Sequence, residues 1–155
     1  MKLYLSRHGD AVSKMENPDR PLSDHGTTEV NRVASFLARA GIKTSRVIHS
    51  GKLRAAQTGA IYANVIGGRC LIEEVPGLKP NDDPQQIADL MNVGHVDTLV
   101  AGHLPHLGRL ASILISGSDD GALFSIRTGT VICLERGQMS DQWHLAWMID
   151  PALLG

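Results

Sequence analysis

Short apolar runs alternate along this chain with longer segments whose apolar residues recur at helical spacing. The runs are Leu3–Leu5, Arg46–Ile48, Cys70–Val75 and Thr98–Ala101, and each precedes a helix-period stretch. That alternation predicts βαβ units and a parallel sheet covered by helices on both faces. The first helix should run from about Ser23 to Ala40, with Val30, Val33, Ala34 and Leu37 as its apolar stripe and Gly41 as its left-handed stop. The second begins after Ser50 and ends near Gly67-Gly68. The third opens at Asp83-Pro84, where Asp83 caps, Pro84 takes the first helical position and Gln86 completes a capping box, with Ile87, Leu90 and Met91 turned inward. The fourth follows Pro105 and buries Leu107, Leu110, Ala111 and Leu114.

Past Gly129 the period changes to two. Val131 and Cys133 mark one strand, and Trp143, Leu145, Trp147 and Ile149 lie on one face of the next, with Gly137 in the turn. The expected architecture is therefore a three-layer α/β/α sandwich with a mainly parallel central sheet and an antiparallel C-terminal edge. Residues 1–155 read as one domain, because no repeat, low-complexity tract or linker interrupts them.

Composition removes several function classes. A chain of 155 residues, 43% hydrophobic and 20% charged, is an ordinary globular protein. Its formal net charge of -1 supplies no global field for nucleic acid, so a bound anion must be held by a local cluster of cations. Cys70 and Cys133 lack metal-like spacing and read as two buried thiols in a reducing compartment. The N-terminus lacks the apolar core of a signal peptide. The most apolar stretch, Thr98 to Ile115, is broken by His103, Pro105, His106 and Arg109, so no segment is expected to cross a membrane. A cytoplasmic location is the expectation.

Candidate chemistry gathers directly after the strands, where open α/β sheets bind ligands. Arg7-His8-Gly9 follows the first strand, His49 to Arg54 the second, and Gly102-His103-Leu104-Pro105-His106 the fourth. With Ser50 as N-cap, Arg54 falls in the opening turns of a helix, beside Lys52, where the helix dipole repels a cation. That placement makes sense if an anion sits there, the bland alternative being a solvated arginine. His103 likewise stands just ahead of a helix. Two Arg and two His around one rim form a phosphate cradle that needs no metal and no cofactor. Gly9 lets the chain turn and a phosphate approach closely. If one ring nitrogen of His8 donates to a backbone carbonyl, the other is left unprotonated, which is the condition for a histidine nucleophile. The pair His103 and His106 could suggest a metal, but Pro105 and the lack of nearby carboxylate or thiolate partners argue against one. His106 reads as a surface or supporting residue, and His25, His49, His95 and His144 as structural.

These residues resemble the histidine phosphatase, or phosphoglycerate mutase-like, superfamily, whose hallmark is an Arg-His-Gly after the first strand. The resemblance continues through Arg20-Pro21-Leu22-Ser23 with Gly26, then Ser50, Arg54, Gln57 and Thr58, then Gly102-His103, in the family's order and over nearly the whole chain. Within that superfamily the short length, Arg7-His8-Gly9-Asp10-Ala11, Arg20-Pro21-Leu22 and Gly102-His103-Leu104-Pro105 are similar to the SixA-type phosphohistidine phosphatases. The resemblance implies a hydrolase with His8 as nucleophile, with Arg7, Arg54 and His103 lining the phosphate pocket and Arg20 and Ser50 as auxiliary contacts. It also implies a phosphorylated protein as substrate, such as a histidine-containing phosphotransfer domain in signal transduction, with inorganic phosphate as product.

Two departures bear on substrate. Leu104 follows His103 where acid phosphatases of the superfamily carry an Asp, and Glu73 and Glu74 lie near the mutases' proton-donor segment without matching it. An alkoxide leaving group needs a proton donor, whereas a protonated phosphoimidazole leaves as neutral imidazole with less help, so a missing acid favours a P–N substrate. Short connections leave no room for a cap domain over a small metabolite. The competing readings are a phosphatase of small phosphomonoesters using Asp82, Asp83 or Glu74 as acid, and a phosphate-binding module that lacks turnover.

Overall fold

The structure, a computed structural model, describes residues 1–119 and 123–155. Its elements are β1 (Lys2–Arg7), α1 (Asp24–Arg39), β2 (Arg46–His49), α2 (Leu53–Tyr62), β3 (Leu71–Glu74), α3 (Gln85–Val93), β4 (Thr98–Gly102), α4 (His106–Ser116), β5 (Val131–Arg136) and β6 (Trp143–Ile149). A π-helical turn, Ala63–Gly67, extends α2, and a 3₁₀ turn, Pro151–Leu154, ends the chain. The sheet order is β3-β2-β4-β1-β5-β6, parallel through β3, β2, β4 and β1 and antiparallel at β5 and β6. This is the expected mainly parallel sheet with an antiparallel C-terminal edge.

Strand periodicity divides the core into two layers. Leu3, Leu5, Ile48, Val100, Ile132 and Leu134 point to one face and pack against Ile87 and Met91 of α3 and Leu107, Leu110 and Leu114 of α4. Tyr4, Val47, Leu99, Val131 and Cys133 point to the other and meet Val30, Val33, Ala34 and Leu37 of α1 and Tyr62 of α2. Each fully buried aliphatic side chain contributes about 1.5–3 kcal/mol. Helix α1 starts as expected, with the Ser23 oxygen accepting from the Gly26 N–H at 3.0 Å, and Gly41 follows it at φ 75°. Among the described residues, no helix is long and apolar enough to cross a membrane.

Four expectations need correction. Helix α2 is capped by Lys52, not Ser50: Gly51 at φ 81° turns the chain first, and Ser50 is free to point elsewhere. At α3, Asp83 Oδ1 does accept the Gln85 N–H at 3.0 Å, but Gln86 does not return a bond, its oxygen lying beside Gly77. Strand β3 forms the sheet edge and leaves Leu71 58% and Ile72 46% exposed; Cys70 just before it is only half-buried, and both cysteines are free thiols. Finally, the apolar residues of β6 do not share a face. Cys133 lies opposite Trp147 but Leu134 lies opposite Leu145, so Ala146 is the extra residue of a β-bulge and the alternation reverses there. Trp143 therefore packs in the α3/α4 layer while Trp147 and Ile149 pack in the α1/α2 layer.

Candidate active site

Strand register brings the three strand ends together. In the β1–β4 pair Arg7 stands opposite Gly102, so His8 and His103 are each one residue beyond, and the His8 N–H continues the ladder to the Gly102 carbonyl at 3.0 Å. In the β2–β4 pair His49 stands opposite Ala101, which sets Ser50 beside the same end of β4. The His8 and His103 rings lie 5.1 Å apart between centroids, and Ser50 Oγ is 2.5 Å from His103 Nε2.

His8 is held at both ring nitrogens. Nδ1 lies 2.7 Å from the Gly9 carbonyl, an acceptor, so Nδ1 carries the proton and donates it. Nε2 is then the bare nitrogen, and Arg54 Nε donates toward it at 3.3 Å. Only 8% exposed, the ring has its pKa lowered to about 4, chiefly by burial; the Gly9 bond opposes this, and the Arg54, Arg7 and Arg20 charges add to it. A neutral imidazole with Nδ1–H tied to a carbonyl presents its Nε2 lone pair, the form in which histidine attacks an electrophile. His103, 2% exposed, is lowered to about 3 by burial first, then by His8, Arg54 and Lys52; its Nδ1 is buried without a partner.

Around the two rings stand cations short of partners. Arg7 Nη1 donates to the Ile126 carbonyl at 2.7 Å, while its buried Nε has none. Arg54 is the second residue of α2, pointing a cation into the positive end of the helix dipole. Arg20 adopts φ 50°, an uncommon left-handed backbone for a non-glycine residue, and its Nε donates to the Val12 carbonyl at 3.0 Å. Among the described residues, none of Arg7, Arg20 and Arg54 has a carboxylate within 4.0 Å. Two histidines held neutral amid three such guanidinium groups make an arrangement able to hold an oxyanion, whose arrival would supply the missing negative charge.

The sequence-derived set Arg7, His8, Arg54, His103, Gly9, Arg20 and Ser50 is thus gathered at one rim, with some altered reasons. Gly9 is small chiefly because of what lies behind it: a Cβ there would stand 2.7 Å from Val30 Cγ2 and 3.0 Å from the Gly26 carbonyl oxygen of α1. His106 is fully buried rather than at the surface. Glu73 is tied to Arg46 at 2.7 Å, and Asp82 and Asp83 accept backbone N–H groups of Lys79 and Gln85. Glu74 lies against Gly51. No carboxylate is among the groups that shift His8 or His103.

Two residues beyond that set shape the rim. Thr58 Oγ1 accepts the Gly9 N–H at 3.1 Å and donates to the Arg54 carbonyl at 2.7 Å, and Gln57 Oε1 accepts the Leu22 N–H at 2.7 Å. The Arg54–Thr58 spacing of four on one helix was the available signal. A shallow cleft of about 470 Å³ lined by Pro18, Asp19, Gly51, Lys52, Leu53 and Arg54 reaches the rim at Arg54. A larger one, about 560 Å³, lies by Ile42, Lys43 and Cys70 and contains none of the rim residues; size alone does not make it the site.

The sequence pattern of the histidine phosphatase superfamily (branch 1) matches residues 3–80. Phosphohistidine phosphatase SixA of Escherichia coli (strain K12) is 28% identical over 151 residues, covering 94% of this chain and 94% of that protein. A solved structure of the protein histidine phosphatase SixA complexed with tungstate superposes with a TM-score of 0.88 at 25% identity, covering 100% of both chains. The alpha-ribazole phosphatase of Shigella flexneri shares the fold at 16% identity, with a TM-score of 0.78 over 97% of each chain.

Proposed function

The chain belongs to the histidine phosphatase superfamily (branch 1) and is a phosphatase, and from that premise we propose that it is a cytoplasmic phosphohistidine phosphatase, a single domain spanning residues 1–155, that works through a covalent phosphate on His8. Its substrate is a phosphorylated protein, such as a histidine-containing phosphotransfer domain. The observation that carries the reading is the pair of contacts on the His8 ring, Nδ1 to the Gly9 carbonyl and Nε2 facing Arg54.

In the first step the His8 Nε2 lone pair attacks phosphorus as the substrate P–N bond breaks, its electron pair returning to the substrate ring. A substrate ring already protonated on its distal nitrogen leaves as neutral imidazole. His8 becomes a phosphoimidazolium whose Nδ1–H, donated to the Gly9 carbonyl, carries part of the positive charge. In the second step water attacks phosphorus, the P–Nε2 bond returns its pair to the His8 ring, and both water protons stay on the product as dihydrogen phosphate. Neither step needs a proton from an acid, because the leaving group is each time an imidazole already protonated on its other nitrogen, the substrate's ring in the first step and His8 in the second. This is consistent with the lack of any carboxylate acting on His8 or His103 among the described residues. Arg7, Arg54, Arg20 and His103, with Ser50 on His103, would hold the equatorial oxygens, where charge is stabilised during transfer. The small-residue position Gly9 keeps α1 close behind the nucleophile.

The test compares kcat/KM on two kinds of substrate: an isolated phosphotransfer domain carrying phosphohistidine, and a panel of small phosphomonoesters. Phosphohistidine is expected to win by about 10²–10⁴-fold, the usual contribution of a general acid that an alcohol leaving group would require. His8→Ala should abolish release from both. Undiminished release by His8→Ala, or a phosphomonoester turned over far faster than phosphohistidine, would overturn the proposal.

A further inference from the structure

Thr58 occupies the second turn of α2, where a threonine has no advantage as a helix former. Its side chain is fully buried. The hydroxyl proton is committed to the Arg54 carbonyl four residues back, at 2.7 Å, so the oxygen can face the Gly9 N–H, at 3.1 Å, only as an acceptor. Gly9 in turn offers its carbonyl to His8 Nδ1 at 2.7 Å. One oxygen therefore joins the two sides of the site: the helical turn that carries Arg54 and the residue whose carbonyl determines which His8 nitrogen bears the proton.

We propose that Thr58 is a positioning residue for the nucleophile, acting through Gly9: its hydroxyl anchors Gly9 at its N–H, so that the carbonyl on the other side of the same residue stays on His8 Nδ1 and keeps the ring in the Nδ1–H form, with Nε2 bare and aligned with Arg54. Gly9 has no side chain to brace it, and the Cβ that could do so is barred by Val30 and Gly26. The bracing comes from the hydrogen bond instead. A valine at 58 would keep the volume and remove the acceptor, leaving a buried N–H unpaired and Gly9 anchored only through the His8 carbonyl, which accepts the Gly129 N–H at 3.1 Å. A serine would keep the acceptor.

The inference rests on His8 being the nucleophile, but its first readout does not. In ¹⁵N-detected NMR of the full chain, wild type and Thr58→Ser should show His8 as the Nδ1–H tautomer, and Thr58→Val should show a substantial Nε2–H population. In kinetics, Thr58→Val should lower kcat on the order of 10–100-fold with KM changed less than about threefold, the cost of a slightly misplaced reacting group. Thr58→Ser should stay within about threefold of wild type. If Thr58→Val does not fold, Thr58→Ala takes its place with the same expectations. A hydroxyl-free variant that keeps the Nδ1–H tautomer and wild-type kcat would overturn the inference, as would Thr58→Ser failing as badly as Thr58→Val. Loss of the tautomer with full activity would instead sink the nucleophile assignment.

Discussion

Arginines lie at both ends of the sheet, Arg136 buried at one and Arg7 and Arg54 half-buried at the other, and their surroundings differ. At the N-terminal end of β1, Arg136 donates to the Met91 carbonyl at 3.4 Å and to the carbonyls of Asn92 and Gly94, approaches the Met1 thioether, and lies 5.3 Å from the Trp143 ring centroid. Those carbonyls end α3, where the helix dipole favours a cation, and Trp143 donates its Nε1–H to Asn92 Oδ1 at 2.8 Å. Both terminal nitrogens of that guanidinium are met by the protein itself. At the other end Arg7 has one carbonyl and a bare Nε, Arg54 has the lone pair of a histidine, and both stand where burial, and for Arg54 also Arg20, lowers their pKa. A cation whose terminal nitrogens meet carbonyls holds a fold together, whereas a set short of partners is what the proposed anionic ligand would complete.

Truncating one arginine from each end should separate the two roles. Arg54→Ala is expected to lower kcat/KM about 10²–10³-fold, the loss typical of one transition-state donor, while leaving Tm unchanged or slightly raised. Arg136→Ala should do the reverse, costing about 2–4 kcal/mol of stability in denaturant melts with kcat/KM within about twofold. Equal losses of stability in the two variants would dissolve the contrast.

Protonation offers a second way to sharpen it. With folded pKa values of about 4 for His8 and about 3 for His103, against an ordinary 6.5, the unfolded chain takes up these protons first on acidification. Stability should therefore be complete above pH 6.5 and fall between 6.5 and the folded values, by about 3 kcal/mol for His8 alone. Following the ring C–H resonances by NMR should show both histidines flat from pH 8 to 5. An inflection of either near 6.5 would contradict the burial and cation argument. The smallest effect is ligand-induced: inorganic phosphate at about ten times its Kd should add about 1.4 kcal/mol, a rise in Tm of about 3–5 °C. Arg54→Ala should lose that rise and Arg136→Ala keep it.

The contrast also marks what could be read before the fold was known. His8, His103 and Ser50 were legible because each directly follows a strand, and parallel neighbours with matched register must place such residues side by side. The stripe of α1 was legible from its period. Arg136 was not, because its partners are backbone carbonyls 42 to 45 residues away that no side-chain motif announces. The face of Trp143 was hidden by the bulge at Ala146, since one unpaired residue reverses an alternation that looks unbroken in sequence. The Gly9 requirement was visible as a residue type but not as a cause, which is the close approach of α1.

The most direct test of the account is to mix wild-type protein with radiolabelled phosphohistidine substrate, quench within milliseconds at alkaline pH, where phosphohistidine survives, and map the label by peptide sequencing. The account predicts a transient, acid-labile phosphate on His8, carried on Nε2, that forms and decays at rates compatible with kcat. Label on another residue, or full turnover with no label on His8 at any time, would contradict it.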